Sequence, residues 1–409
     1  MVIIQPFKGI HYRTLRKDGI QNFICPPYDV IPVEERAWYR QVSPYNIVRL
    51  ELPQGKNKYL TAQSIYKKWI TKHVLEQDSS AAFYIYSQSF NNLTDSKIYT
   101  RYGIFVALKA EPFGKNVRPH EHTFKKYKND RLRLYNATKL NISPVFGIFS
   151  DNNNRITKFI HSYCLKNQPV NDFYDKYHTR QRLWVVSSPE LCDNISKMFK
   201  KTVVYIADGH HRYETGVMYA KNNRGIDSAQ YCLVGLTAME DPGLLVLPTH
   251  RMAVLKNKIE LNKLFNELRT YFVFTPVNNF VPKKNITCII SYLGKKFSVK
   301  LTPKGIAEIR KMHPRASNIY RQLEVTVLHS LLIPKLPVHE VRYYKNFSDL
   351  SSDSKKYAGN KVFSIFLPSP RIKDVKAVAN NSEFMPHKST YFYPKLPTGM
   401  VMYSLKNSR

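Results

Sequence analysis

Residues 202–220 read Thr202-Val203-Val204-Tyr205-Ile206-Ala207-Asp208-Gly209-His210-His211-Arg212-Tyr213-Glu214-Thr215-Gly216-Val217-Met218-Tyr219-Ala220. Residues 202–206 form a short β-branched and aromatic run of strand length. The run ends at Ala207-Asp208-Gly209. Beyond it, Tyr213, Gly216, Val217 and Ala220 fall close to one helical face over residues 210–220. The stretch predicts a strand, a glycine turn and a helix. Glycine at that turn allows backbone geometry that a side chain forbids and lets a ligand approach closely. The start of the helix offers N–H groups with no intrahelical acceptor and a partial positive charge, which together favour a bound anion.

Four polar residues surround that glycine. Arg212 brings a planar, two-pronged donor suited to phosphate. His210 and His211 can donate hydrogen bonds or exchange protons near neutral pH. Asp208 is expected to cap the helix, hold a histidine or help carry a magnesium ion. The plainer alternative is a capping Asp208 with both histidines on the surface.

Upstream, residues 59–75 have helical periodicity, and residues 81–88, 102–110, 144–149 and 182–186 read as strands. Residues 151–154 read as a turn and 189–199 as a helix. Residues 115–140 form a polar, basic stretch. Downstream, residues 231–237 and 244–248 read as strands. After about residue 255 the texture changes: residues 261–271 look helical, 272–299 alternate like an antiparallel sheet, 321–332 look helical, and 362–367 read as a strand. The expected fold is α/β (α+β) with mixed sheets. The expected domains are residues 1–255, carrying the phosphate-binding unit, and a smaller α+β region, 256–409, available to complete the site.

Three further clusters carry polar chemistry. In Arg118-Pro119-His120-Glu121-His122-Thr123, Glu121 is a candidate general base, tuned by a histidine or by basic neighbours. Its His-Glu-His spacing does not match the zinc helix pattern His-Glu-x-x-His, so no metal ligands are assigned. In Cys25-Pro26-Pro27-Tyr28-Asp29 the two prolines predict a rigid exposed loop, and Asp29 is either catalytic or closes a turn. In the 385–395 segment, Lys388 and Lys395 are placed to reach phosphates, while Tyr391, Phe392 and Tyr393 stack on a base or fill a core.

The 409 residues carry a formal charge of +33, with 43% hydrophobic and 13% aromatic content. That content supports packed cores, and the length suggests more than one domain. The charge favours anionic partners such as nucleotides or nucleic acid. Its even spread, in a chain rich in Lys, Asn, Ile and Tyr, fits genomic base composition without selection for binding. No apolar stretch reaches the roughly 18 residues of a membrane helix. The N-terminus has no secretory pattern, so a cytoplasmic location is expected. Cys25, Cys164, Cys192, Cys232 and Cys288 lie far apart with no Cys-x-x-Cys pair, which argues against a disulfide framework or structural zinc site.

The clusters, in their order, resemble the family called domain of unknown function 1015. The resemblance runs from Pro6-Phe7-Lys8-Gly9 through Pro26-Pro27-Tyr28-Asp29-Val30, Pro119-His120-Glu121-His122-Thr123 and Asn141-Ile142-Ser143-Pro144-Val145-Phe146. It continues through Ile206 to Thr215, Asp241-Pro242-Gly243-Leu244, Leu247-Pro248-Thr249-His250-Arg251 and the 385–399 segment. That family supplies no settled activity. The Asp-Gly-His-His-Arg motif is also similar to the phosphate-binding motif of the ParB and sulfiredoxin superfamily, which includes free serine kinases. That local resemblance implies a nucleotide phosphate site at Gly209, His210, His211 and Arg212. The loop has no cysteine, which argues against sulfiredoxin chemistry.

The expectation is a nucleotide-dependent phosphotransferase using ATP or ADP with Mg²⁺ on a small hydroxylated metabolite. The loop grips phosphate, Glu121 or Asp29 takes the acceptor proton, and Lys388 or Arg251 offsets phosphoryl charge. Two alternatives stand beside it. One is a nucleotide-responsive binding protein without turnover, with nucleic acid as a partner. The other is a phosphate-ester hydrolase in which His210 or His211 handles protons.

Overall fold

The computed structural model describes residues 1–13, 19–93, 95, 97–279, 287–357 and 359–407. The chain forms two units. One comprises Met1–Leu245 together with Pro394–Arg409, the other Val246–Tyr393. The division lies near the expected boundary at 255/256, but the last stretch of chain returns to the first unit instead of staying with the C-terminal region.

The first unit is built on a mixed sheet, nine-stranded among the described residues. Val204–Asp208 lies between Val117–Arg118, to which it is parallel, and Val145–Phe149, to which it is antiparallel. Tyr231–Ala238 follows, parallel to Val145–Phe149 and antiparallel to Ile98–Lys109. Phe83–Asn91, Arg180–Val186 and Asn171–Tyr174 extend the sheet by antiparallel pairing. Its core collects Ile104, Val106, Val145, Val204, Ile206, Val234 and Leu236, all nearly inaccessible to solvent. Each such aliphatic side chain contributes about 1.5–3 kcal/mol by leaving water. The His210–Asn222 helix packs against the Tyr231–Ala238 strand through Gly216, where a Cβ would stand 2.2 Å from Cys232 Sγ.

A second, four-stranded sheet orders Leu75–Gln77, Gly9–Tyr12, Met402–Ser404 and Leu140–Asn141. The returning C-terminal stretch supplies an inner strand of this sheet. Beneath it, Tyr12, Phe23, Trp69, Leu75 and Leu140 form a separate aromatic-rich core. The basic stretch 115–140 contains the Lys125–Thr138 helix, which buries Arg131, Leu134 and Tyr135.

The second unit holds a six-stranded antiparallel sheet among the described residues. Its order is Phe272–Pro276, Lys295–Leu301, Cys288–Tyr292, Val362–Phe366, His250–Leu255 and Val338–Tyr344. The expected antiparallel texture over 272–299 is present, although residues 280–286 of that range lie outside the described residues. The helix expected over 321–332 is present but broken once: Asn318–Gln322 is a short helix, and after Leu323 the backbone is helical again through Glu324–Val327 and Leu328–Leu332. Leu323 takes an extended conformation (φ −62°, ψ 127°) and buries its side chain, which breaks the helical register.

One other expectation changes. The Pro26-Pro27-Tyr28-Asp29 loop is largely inward: Pro27 and Tyr28 are buried and only Asp29 is exposed. The Arg131 guanidinium stands 4.3 Å over the Tyr28 ring, which explains why that ring is drawn in. Among Tyr391, Phe392 and Tyr393, Phe392 is core and the flanking tyrosines are half-buried.

Candidate functional site: a buried Asp–Arg–Lys clamp under a histidine pair

The Val204–Asp208 strand runs into Gly209, which adopts the left-handed region (φ 87°, ψ 32°) and opens the His210–Asn222 helix. An L side chain disfavours that φ. It would also collide, because a Cβ on Gly209 would lie 2.8 Å from the Arg212 guanidinium. No side chain caps this helix. Asp208 therefore does not act as the expected cap.

Asp208 instead accepts one hydrogen bond from Arg212 NH2 and another from Lys395 Nζ, one on each oxygen. Burial alone would raise its carboxyl pKa. The two cations outweigh that and hold it well below the usual carboxylate range. Arg212 NH1 donates to the Pro144 carbonyl. Both terminal nitrogens of Arg212 thus serve the chain, and its side chain is 2% exposed. The expectation that its fork reaches toward phosphate is not what the geometry shows. Arg212 ties the loop to the neighbouring strand while its charge stays paired.

The histidines reveal their tautomers through their partners. A backbone N–H can only donate, so the ring nitrogen it meets must be unprotonated. His120 N–H donates to His210 Nε2 at 3.2 Å, and Phe124 N–H donates to His211 Nε2 at 2.8 Å. Each ring therefore carries its proton on Nδ1. His120 Nδ1 lies 2.8 Å from the Ile206 carbonyl, so it is protonated and Nε2 is the basic nitrogen. The His120 and His210 rings meet edge to face with centroids 4.7 Å apart. Burial lowers the pKa of all three. For His120 it falls to about 4, and His210 lies well below its ordinary value. Burial thus favours the neutral form of each ring.

The Glu121 carboxylate straddles the pair. Its oxygens stand 4.0 Å from His120 Nε2 and 3.9 Å from His210 Nδ1, and its side chain is 32% exposed. Asp29 joins the same neighbourhood, its charge acting on both His211 and Arg212. Phe124 stacks on His211 at 6.0 Å, and Tyr127 meets it edge-on at 5.2 Å. Glu214 fastens the two helices together, accepting from Thr123 Oγ1 and from Lys128 Nζ at 3.1 Å.

Asp29, Glu121, Asp208, Gly209, His210, His211 and Arg212 all lie in the first unit. Arg251 and Lys388 lie in the second. There Arg251 is fully buried, donating to the Thr249 and Lys388 carbonyls, and burial lowers its guanidinium pKa to about 10. His120, Glu51 and Arg131 were not legible as site residues, and Lys395, expected to reach phosphate, is paired with Asp208 instead. His120 stood beside Glu121, which was singled out. Glu51 gave no signal, yet it is buried 3.6 Å from Arg131, with burial raising its carboxyl pKa against the pull of Arg131 and Arg212. Among the described residues no group of three or more His, Cys, Asp or Glu side chains is arranged to hold a metal ion, and no helix is long and apolar enough to cross a membrane.

The fold and this loop define an α/β protein with a strand–glycine–helix unit. The chain belongs to the family described as protein of unknown function (DUF1015), whose pattern it matches over residues 4–326. No curated protein matches it. Among solved structures it is similar to a free serine kinase variant in complex with AMP, at 13% identity and a TM-score of 0.37, covering 72% of this chain and 94% of that one. A conserved hypothetical protein from Pyrococcus furiosus is similar at 15% identity and 0.34, covering 72% and 98%. SbnI from Staphylococcus aureus, truncated at its C-terminus, is similar at 9% identity and 0.37, covering 72% and 87%. Likeness of this strength assigns nothing to the present chain.

Proposed function

We propose that the chain is a nucleotide-dependent phosphotransferase acting on the hydroxyl of a small metabolite such as a hydroxy amino acid. One observation carries this reading: the Glu121 carboxylate sits between His120 Nε2 and His210 Nδ1 at the uncapped start of the His210–Asn222 helix. In this reading the phosphate is bound by the first-turn amides of that helix, which have no intrahelical acceptor. The motif resemblance supplies the nucleotide, ATP or ADP.

In this reading Arg212 and Lys395 order the loop through Asp208. His210 presents its Nδ1–H toward the Glu121 carboxylate from 3.9 Å, beyond direct hydrogen-bond reach. Glu121 takes the proton of the acceptor hydroxyl as that oxygen bonds to phosphorus. The bond to the leaving phosphate oxygen breaks, and the leaving group keeps the electron pair. Asp29, exposed nearby, is the second candidate base. Both acids are oxygen donors with solvent access, which suits Mg²⁺ held mainly by water and phosphate. A bound Mg²⁺ would offset phosphoryl charge. Arg251 and Lys388 play no part in this reading. Neither do His210 and His211 as proton carriers, since their unprotonated nitrogens already receive backbone N–H groups.

The test incubates the full chain with ATP or ADP and a panel of hydroxylated amino acids, and detects phosphorylated product. Glu121→Gln is expected to keep nucleotide affinity within about threefold and to lose about 10²–10⁴ in turnover, the range for a general base. Nucleotide binding with no product for any acceptor would leave the regulatory binding protein standing instead. Absence of nucleotide binding at millimolar concentration would end both readings.

A further inference from the structure

The second unit contains a cavity of about 440 Å³. Its apolar lining is Leu301, Ile306, Ile309 and Val327. The Pro303–Met312 helix contributes Ile306, Ile309 and Arg310 at i, i+3 and i+4, so one face turns toward the cavity. Lys300, Arg310 and Arg321 bring three cations to the same lining. Arg321 is held by the His313 carbonyl at 2.9 Å and the Pro314 carbonyl at 2.7 Å, partners that fix its fork without neutralising it. Lys300 and Arg310 form no ion pair among the described residues, and both are exposed. The one acid in the lining is Glu324, whose carboxyl pKa is pushed up by burial and drawn back by Arg371.

An apolar hollow of this size with an uncompensated cationic lining matches the general build of a small-molecule site, where volumes run to about 300–1,000 Å³. Charge alone would suit any anion, while the aliphatic lining selects one with an apolar body. We propose that this cavity binds a small amphipathic anion, an apolar body carrying a single carboxylate, phosphate or sulfonate group. The cations engage the anionic head, and Ile306 with the half-buried Leu301 covers the body. None of its lining residues belongs to the Glu121 centre, and its test does not depend on phosphotransfer.

The probe is anilinonaphthalene sulfonate, titrated into the full chain by fluorescence, with hexanoate and inorganic phosphate as competitors. Saturable binding of one probe per chain is expected, displaced by hexanoate but not by phosphate at equal concentration. The double variant Lys300→Glu/Arg310→Glu is expected to bind at least about tenfold more weakly while melting at the wild-type temperature. Ile306→Asp, at a half-exposed position, is expected to weaken binding without unfolding the chain. Wild-type affinity in both variants overturns the proposal, because the probe would then sit elsewhere. Displacement by phosphate as effective as by hexanoate overturns the amphipathic specificity.

Discussion

At the scale of single residues, Asp208 decides the state of the loop. Its carboxylate balances Arg212 and Lys395 where all three side chains are at most 15% exposed. Removing one partner of a buried ion pair leaves uncompensated charge, which costs about 3–5 kcal/mol. Asp208→Asn is therefore expected to lower stability by that order, read as a drop in the urea midpoint at constant slope. A midpoint within error of wild type would mean that water, not the carboxylate, solvates the two cations. The sequence allowed the loop's location to be read, because glycine and four polar residues directly follow a β-branched run. It did not allow the direction of Arg212 to be read. That direction is set by the Pro144 carbonyl and by Asp208 already bound to Lys395, and neither long-range partner has a local signature.

At the scale of elements, legibility tracked local capping chemistry. The Pro189–Phe199 helix matches its expected bounds, because Ser188 caps the Leu191 amide and a proline opens the first turn. The break at Leu323 was hidden, since apolar residues there satisfy both one continuous helix and two helices in succession. The seat of the His210–Asn222 helix depends on Gly216 lying against Cys232. Gly216→Ala adds a methyl group where there is no room. It is expected to cost about 1–3 kcal/mol through overpacking, more than helix propensity returns. The combined variant Gly216→Ala/Cys232→Ala is expected to recover most of that loss in thermal melts. No recovery would show that the helix is seated by other contacts.

At the scale of the whole molecule, buried imidazoles set the response to acid. Burial lowers the pKa of His120, His250 and His329 to about 4 each, and that of His210 and His211 below their ordinary value. A histidine that titrates lower when folded binds fewer protons than its unfolded counterpart. Its stabilising contribution is thus full above pH 6.5 and is lost as pH falls toward 4. For His120 the shift corresponds to about 3 kcal/mol. His11 shifts the other way: burial opposes its charge, but Asp78 raises its pKa, so its contribution is lost as pH rises. The depressed carboxylates, Asp208, Asp130 and Asp78, add losses at still lower pH. Urea midpoints are expected to fall steadily from pH 7 to pH 4.5, with a shallower slope in His120→Gln. An unchanged slope in that variant would show that its imidazole is not held neutral in the folded state. The formal charge of +33 repels itself more strongly in acid and acts in the same direction.

The clamp joins residues 187 positions apart, and the whole second unit is translated between them. A ribosome adding roughly 5–20 residues per second needs on the order of ten to forty seconds to pass from one partner to the other. During that interval the nascent chain carries Asp208 and Arg212 without Lys395, and the four-stranded sheet without its Met402–Ser404 strand. The first unit begins before the second but closes after it, so an open sheet edge awaits the final residues, a stage at which a chaperone would find its substrate.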